Sequence, residues 1–156
     1  RCAGITDNDP PKDSKPTPLN PEDGTNHALK FIPNINKSKL ARLYCGELKT
    51  FEYDLAFEKG NLKIMLPIAK ALLDTDGPIK EQLDEYSKND WEKETNETKK
   101  AEASKFLLDH IEKGEFAQAL ADNLSDINKS FVVPGYIRRA VIWACGGNLD
   151  GSTTDE

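Results

Sequence analysis

Five of the nine prolines fall within the first 27 residues, and this clustering constrains the fold more than any other feature of the chain. They are Pro10, Pro11, Pro16, Pro18 and Pro21. Proline removes a backbone donor and fixes φ, so such a segment forms neither a helix interior nor a central strand. We predict an extended or disordered arm over residues 1–27, a single globular domain over 28–147 and a polar C-terminal tail over 148–156.

The balance of charged and apolar residues limits what the domain can bind. Roughly 120 residues lie between arm and tail, which is enough to bury a core without metal or haem. The formal net charge is −6, and an acidic surface repels phosphate backbones. We therefore expect no nucleic-acid partner unless a local basic patch overrides the net charge. The sequence has no run of about 18 apolar residues, so we expect no membrane span.

Residues 50–68 carry the clearest local pattern. The large apolar side chains of TFEYDLAF and LKIMLPI alternate with other residues, which is the period of a strand. The intervening EKGN contains Gly60, which can adopt a positive φ in a tight turn. We predict a β-hairpin over about 50–68. A helix over 62–73 is the competing interpretation, and it would place Pro67 inside the helix.

Helical periodicity dominates the rest of the chain. Helices are predicted over 68–74, 76–86, 100–114, 115–127 and 135–147. The last is apolar nearly all round, which predicts a buried helix at the centre of the core. Residues 28–35 are predicted as an edge strand or extended segment, and 38–48 as a short helix or turn. The predicted fold class is α+β, predominantly helical, with one β-hairpin packed against four to five helices and an extended proline-rich arm.

Two adjacent arginines interrupt the most apolar helix. Arg138 and Arg139 lie close in sequence to Tyr136 and Trp143. Arginine beside aromatic residues can bind a carboxylate, a phosphate or a partner surface, so Arg138, Arg139 and Trp143 are candidate binding residues. The alternative is that the arginines mark the solvent edge of the helix or pair with nearby acids. Trp91, in a highly charged stretch, is either a further binding residue or the staple of a helix end.

The sequence lacks motifs for catalysis, cofactors and metals. Only two histidines occur, His27 in or beside the arm and His110 within a predicted helix, which leaves one serious candidate base. Neither of the phosphate-binding patterns G-x-x-x-x-G-K-[ST] and G-x-G-x-x-G is present, and no C-x-x-C occurs. We predict no catalytic residue, no cofactor and no metal ligand. An enzyme whose site is assembled from scattered residues stays open.

Four N-x-S/T sequons occur where the composition predicts roughly one. They begin at Asn36, Asn96, Asn123 and Asn128, and Asn96 is the best acceptor because its surroundings are polar. The sequons, the proline-rich beginning and a first residue other than Met favour an exported, glycosylated protein. A cytoplasmic location is the alternative.

Three cysteines, Cys2, Cys45 and Cys145, leave one thiol over if two of them pair. We prefer a disulfide between Cys45 and Cys145, which would close a loop of about 100 residues and contribute roughly 4 kcal/mol. Cys2 would then be free or joined to another chain. Pairing of Cys2 with either of the others stays open, because sequence does not fix connectivity.

One fragment, VIWACGGNLDGS (141–152), resembles a helix followed by a turn in the coat proteins of flexible filamentous plant viruses. The resemblance covers only those residues, and no role is carried over to any of them. The rest of the chain resembles no family that we recognise.

Three functional hypotheses follow from the sequence. The preferred one is an exported, non-catalytic binding or effector protein that acts through contacts with a protein partner or ligand. The second is a structural or assembly subunit, such as a capsid or filament protein, joined to a neighbour through its N-terminal arm or Cys2. The third is a small enzyme without a recognisable motif.

Overall fold

The computed structural model describes residues 1–9, 26–74, 76–124 and 131–147, which fall into two compact units. The strand unit consists of residues 1–9, 26–51 and 133–147, and the helical unit of residues 52–74, 76–124 and 131–132. Most of the predicted arm and all of the predicted C-terminal tail lie outside the described residues.

Ten elements follow one another along the described chain. They are β1 (Cys2–Thr6), a 3₁₀ helix (His27–Phe31), α1 (Ile32–Ile35), β2 (Ala41–Cys45), α2 (Phe51–Phe57), α3 (Asn61–Ala71), α4 (Pro78–Ser87), α5 (Glu97–Asp109), α6 (Lys113–Leu124) and α7 (Gly135–Ala144). The prediction of a predominantly helical fold with some β structure is confirmed. None of the described helices combines the length and apolar character needed to cross a bilayer.

The strand unit is built on two parallel strands. β1 pairs with β2 in a register that runs from Cys2 opposite Ala41 to Thr6 opposite Cys45. α1 packs against β2, and α7 packs against both strands. Residues 2–6, which the sequence assigned to the arm, therefore hold one side of the sheet.

Two local predictions in the strand unit are wrong. Residues 28–35 form the 3₁₀ helix and α1 rather than an extended segment. The Asn26 side chain caps the first of these by accepting the Ala28 N–H at 2.8 Å, and Pro33 occupies the first turn of α1, where its missing N–H costs nothing. The short helix or turn predicted over 38–48 contains β2 instead, because β1 supplies a hydrogen-bonding partner that the local sequence does not reveal.

The β-hairpin predicted over 50–68 is also wrong, because α2 and α3 occupy this segment. Gly60 joins the two helices with φ at 84°. Leu62, Met65, Leu66 and Ala69 of α3 are buried, and their spacing is that of one helix face. Alternating apolar residues fit a strand equally well, and the tertiary core decides between the two. The competing helix is confirmed, with Pro67 in its interior.

The helical unit has one continuous apolar core. Its most buried side chains include Leu66, Trp91 and Leu107, and α3 contacts α4, α5 and α6. Asn61 is one of three polar side chains buried in the described helical unit, with Asp54 and Ser104. The buried Asn61 side chain donates to the carbonyl oxygens of Leu55 and Val132 at 2.7 and 2.8 Å and accepts the Val132 N–H at 2.8 Å. This amide fixes the chain that follows α6 against the start of α3.

α7 is not the buried central helix that its composition predicted. It buries Tyr136, Ala140 and Trp143 and leaves Val141 and Ile142 exposed. Two short strands cover only one side of a helix, so the other side faces solvent despite its apolar residues. The helix predicted over 135–147 ends at Ala144. Gly146 has φ at 91°, and the Gly147 N–H bonds to the Ile142 carbonyl at 2.9 Å, as in a Schellman motif.

Candidate functional site

The two units carry opposite charge. Among the described residues the strand unit has eight Lys and Arg against three Asp and Glu, whereas the helical unit has ten Lys against seventeen Asp and Glu. All four arginines of the chain, Arg1, Arg42, Arg138 and Arg139, belong to the strand unit. Over its described residues the strand unit is therefore cationic, whereas the chain as a whole has a net charge of −6.

The two units also use their cations differently. Eight of the ten lysines in the described helical unit form ion pairs with carboxylates of that unit. In the strand unit Arg139 pairs with Glu47, Nη2 to Oε1 at 3.1 Å. Six cations of the strand unit form no ion pair with a described residue, namely Arg1, Lys30, Lys37, Lys39, Arg42 and Arg138. Within the described ranges, the strand unit thus presents more positive charge than its acids pair with.

The solvent side of α7 joins one of these cations to apolar surface. Arg138, Val141, Ile142 and Cys145 follow one another at helical spacing and are all exposed, and we call them the α7 outer face. Val141 is 57% exposed and Ile142 is 46% exposed, high values for β-branched side chains in a folded helix. A guanidinium bordered by exposed aliphatic side chains is typical of protein interfaces.

Exposed apolar residues are concentrated in the same unit. Nine large apolar side chains are exposed among the described residues, and seven of them belong to the strand unit. They are Ile5, Phe31, Leu40, Phe51, Val133, Val141 and Ile142. Cationic surface alone would suit a nucleic acid, but exposed aliphatic groups gain little from a phosphate backbone, so this composition favours a protein partner.

Trp143 lies on the opposite side of α7 and is only 4% exposed. Two guanidinium groups pack on its ring, with Arg1 Cζ at 5.5 Å and Arg42 Cζ at 5.2 Å from the centroid. Both distances are within the range of cation–π contacts. Of the predicted binding residues, Arg138, Arg139 and Trp143 thus share one helix, but Trp143 faces the sheet while the arginines face solvent.

Trp91 belongs to the core of the helical unit. It is 1% exposed, its Nε1–H donates to the Tyr86 carbonyl at 2.9 Å, and Lys99 Nζ lies 5.8 Å from the ring centroid. These contacts tie the end of α4 to the start of α5, which is the helix-staple alternative for this residue.

Lys99, whose ammonium group lies near the Trp91 ring, also belongs to a polar network with Asn89 and Glu94. Lys99 Nζ lies 2.6 Å from Asn89 Oδ1 and 3.1 Å from Glu94 Oε2. Hydrogen bonds from the Asn96 backbone N–H, the Lys99 ammonium and the Asn89 side chain lower the pKa of Glu94 to about 2. Each partner favours the ionised carboxylate, so Glu94 is charged throughout the neutral range.

The described sequons differ in what their amides already bind. Asn96 caps α5 by accepting the Lys99 N–H through Oδ1 at 3.1 Å. Asn123 Nδ2 donates to the Ala119 carbonyl at 2.8 Å. Asn36 pairs with the backbone of β2 in both directions, donating to the Leu43 carbonyl at 3.2 Å and accepting the Leu43 N–H at 2.8 Å. Asn128 lies outside the described residues.

The three cysteines all lie in the described strand unit, and no disulfide joins them. The parallel register separates Cys2 from Cys45 by four residues along the ladder, roughly 13 Å. Cysteines whose Cα atoms lie more than about 7 Å apart cannot be bridged without backbone movement, so this arrangement does not allow a Cys2–Cys45 pair. The Cys45–Cys145 disulfide stays a prediction.

The candidate base His110 lies at the C-terminal end of α5 and contacts the backbone of its last turn. Its Nδ1 lies 2.8 Å from the Phe106 carbonyl and its ring packs on Phe106 at 4.3 Å between centroids, so one ring nitrogen is committed to closing α5. No group of three His, Cys, Asp or Glu in the described ranges is placed to hold a metal ion.

Comparison with known proteins adds no relative to this picture. No protein-family model, no curated protein and no solved structure matches the chain. The functional argument therefore rests on the charge and exposure of the strand unit. Sequence reasoning missed this charge separation, although the confinement of arginine to positions 1, 42, 138 and 139 was visible beforehand.

Proposed function

We propose that this chain is a non-catalytic binding protein that docks an acidic protein partner on the α7 outer face. The observation that carries this proposal is the exposed stripe of Arg138, Val141 and Ile142 on a unit with an excess of unneutralised cations. Arginine among aliphatic residues supplies both an anchor for a carboxylate and apolar area to bury.

The test begins with capture of partners by the wild-type protein and by a matched variant, Arg138→Glu combined with Val141→Asp. Both positions are exposed, so we expect the variant to fold normally. Each captured protein is then purified and titrated by calorimetry. We expect an acidic partner whose affinity falls at least about tenfold for Arg138→Glu and rises at low salt.

A control separates this surface from general electrostatic attraction. Lys88→Glu reverses an exposed cation of the helical unit. If that variant weakens binding as much as Arg138→Glu does, the α7 outer face is not the docking surface. Full affinity in both variants would refute the proposal directly.

We also propose that the protein is exported and carries its glycan on Asn96. This amide caps α5 through its oxygen, which leaves Nδ2 pointing to no described protein acceptor. The check is the intact mass of native protein with and without reductant and deglycosylation. A mass equal to the bare chain with three reduced thiols would remove export, the Asn96 glycan and the Cys45–Cys145 disulfide together.

Self-assembly is the second candidate function, and the opposite charges of the described parts of the two units favour it. The cationic surface described for the strand unit of one copy is complementary to the acidic helical unit of another, and such head-to-tail contacts build rings or filaments. Light scattering at low and high salt tests this. A mass that stays monomeric across a hundredfold concentration range at low salt would exclude it.

A further inference from the structure

Two guanidinium groups share one indole in the strand unit. Because Arg1 Cζ and Arg42 Cζ lie 5.5 and 5.2 Å from the same ring centroid, they are no more than about 11 Å apart. Trp143 itself is almost fully buried. Two guanidinium groups from different parts of the strand unit thus contact one almost fully buried indole.

None of the carboxylates of the described strand unit forms an ion pair with either arginine. Glu47 pairs with Arg139, Asp7 Oδ1 accepts the Phe51 N–H at 2.9 Å, and Asp9 Oδ2 accepts from the Asn26 side chain at 3.0 Å. These are the three acids of that unit among the described residues. Arg1 instead donates through Nη1 to the Gly147 carbonyl at 3.2 Å, a neutral acceptor.

Two side-chain donors of β2, one of them on Arg42 itself, are buried without an acceptor. Arg42 Nε and the Tyr44 hydroxyl are both shielded from solvent, and neither has a hydrogen-bond partner in the part of the chain that the structure describes. Arg42 and Tyr44 are two residues apart on β2, so their side chains project from the same face of the sheet. Buried donors without an acceptor are rare in native proteins, and a bound ion is one of their recognised explanations.

From these observations we infer that Arg1 and Arg42, beside Trp143, form a binding site for an oxyanion, either a carboxylate or a phosphate. The planar guanidinium forks suit two-oxygen contacts with either group. This site is separate from the α7 outer face and does not depend on a protein partner there.

Trp143 provides a reporter within the site. The full chain, labelled with ¹⁵N, is titrated with inorganic phosphate and separately with acetate, with sodium chloride keeping the ionic strength constant. We expect a saturable shift of the Trp143 indole N–H and the Arg42 Nε–H, with a dissociation constant on the order of 1 mM for the preferred anion. The Trp91 indole is an internal control and should not move.

Substitutions then locate the site. Arg42→Lys keeps the charge but loses the fork, and we expect it to weaken binding about fivefold, while Arg1→Gln weakens it about tenfold. Arg138→Gln removes an arginine from the other side of α7 and should leave the affinity unchanged. Arg1 is exposed, so its variant stays informative even if changes at Arg42 disturb the fold.

The titrations with phosphate and with acetate distinguish the two kinds of oxyanion. A shift that saturates with one anion and not with the other identifies the ligand as a phosphate or a carboxylate. Equal shifts with chloride, no shift with either anion, or an equal loss in Arg138→Gln would overturn the inference. Arg138 belongs to the α7 outer face and Arg1 and Arg42 to the anion site. The same set of variants therefore distinguishes a failure of the proposed docking surface from a failure of the anion site.

Discussion

The helical unit and the strand unit treat their charged residues in opposite ways. In the helical unit the lysines lie within reach of carboxylates of the same unit, as in the pairs Lys63–Glu92 and Lys70–Asp84. In the strand unit Arg138 faces solvent, and Arg1 and Arg42 lie on Trp143 without an acidic partner among the described residues. Internal neutralisation indicates a surface that serves its own fold, whereas unneutralised arginine indicates a surface that serves a ligand.

The cores of the two units differ in the same sense. The helical unit buries aromatic and aliphatic side chains from five helices in one cluster. In the strand unit, α7 buries three of its described residues, Tyr136, Ala140 and Trp143. A small core leaves apolar surface uncovered, and in the strand unit that surface lies beside the cations. The comparison therefore predicts that stability resides in the helical unit and recognition in the strand unit.

The largest expected effect is on the core of the helical unit. Trp91→Ala should lower the free energy of unfolding by roughly 3–5 kcal/mol, because it opens a cavity and leaves the Tyr86 carbonyl without its indole donor. Urea denaturation followed by circular dichroism measures the change. Val141→Ala is the matched control, and its exposed side chain should cost less than about 0.5 kcal/mol. Similar losses in the two variants would abolish the distinction between the units.

The next effect concerns the buried amide of Asn61. Asn61→Ala removes acceptor and donor from three backbone groups of Leu55 and Val132, and we expect a loss of roughly 2–3 kcal/mol. Asn34→Ala removes an amide that only accepts from the exposed Lys37, so it serves as the control. The amide of Val132 should also exchange faster with deuterium in Asn61→Ala. Unchanged protection there would show that Asn61 does not hold this segment.

A smaller effect is expected from Glu94, and it depends on pH. Its pKa is about 2 in the folded protein against an ordinary value of 4.5, so the unfolded chain binds the proton more readily. The stabilisation is complete above about pH 4.5 and is lost as the pH falls toward 2. Glu94→Gln should therefore flatten the acid limb of the stability curve measured by urea denaturation between these values. An identical limb in wild type and variant would place the acid sensitivity elsewhere.

The smallest effect is expected from a single surface pair. Lys88 and Glu85 are 67% and 63% exposed, so Lys88→Ala should leave the midpoint of unfolding nearly unchanged. The measurement is urea denaturation at 20 mM and 500 mM salt. A fall in the midpoint as large as that of Asn61→Ala would mean that the helical unit depends on its ion pairs rather than on its core, which would reverse the order of these predictions.

Several features of this fold could be predicted from local sequence, and the rest depended on distant contacts. The end of α7 near Gly146 could be predicted, because the left-handed backbone conformation that closes many helices favours glycine. β2 was not, because its partner β1 lies about 40 residues earlier in the chain. The alternation around Leu62 fitted a strand and a helix alike, and only burial against the other helices selects the helix.

The candidate sites show the same division. Arg138 and Arg139 were recognisable as unusual because they interrupt an apolar helix. The role of Arg1 and Arg42 was not, since nothing in the sequence indicates that residues 1, 42 and 143 meet at one indole. For Trp91 the sequence allowed either a binding residue or the staple of a helix end, and its burial and its bond to the Tyr86 carbonyl fit the staple.

Asn36 gives the small sheet an asymmetry that bears on how the protein behaves at high concentration. Its amide offers Leu43 one donor and one acceptor, which is what a residue of a neighbouring strand would offer. An unprotected strand edge is a template on which other chains aggregate, so a single side chain closes β2 against such growth. A glycan on the same Nδ2 would add bulk where the sheet is already sealed, and losing this asparagine would expose the edge to fibrillar pairing.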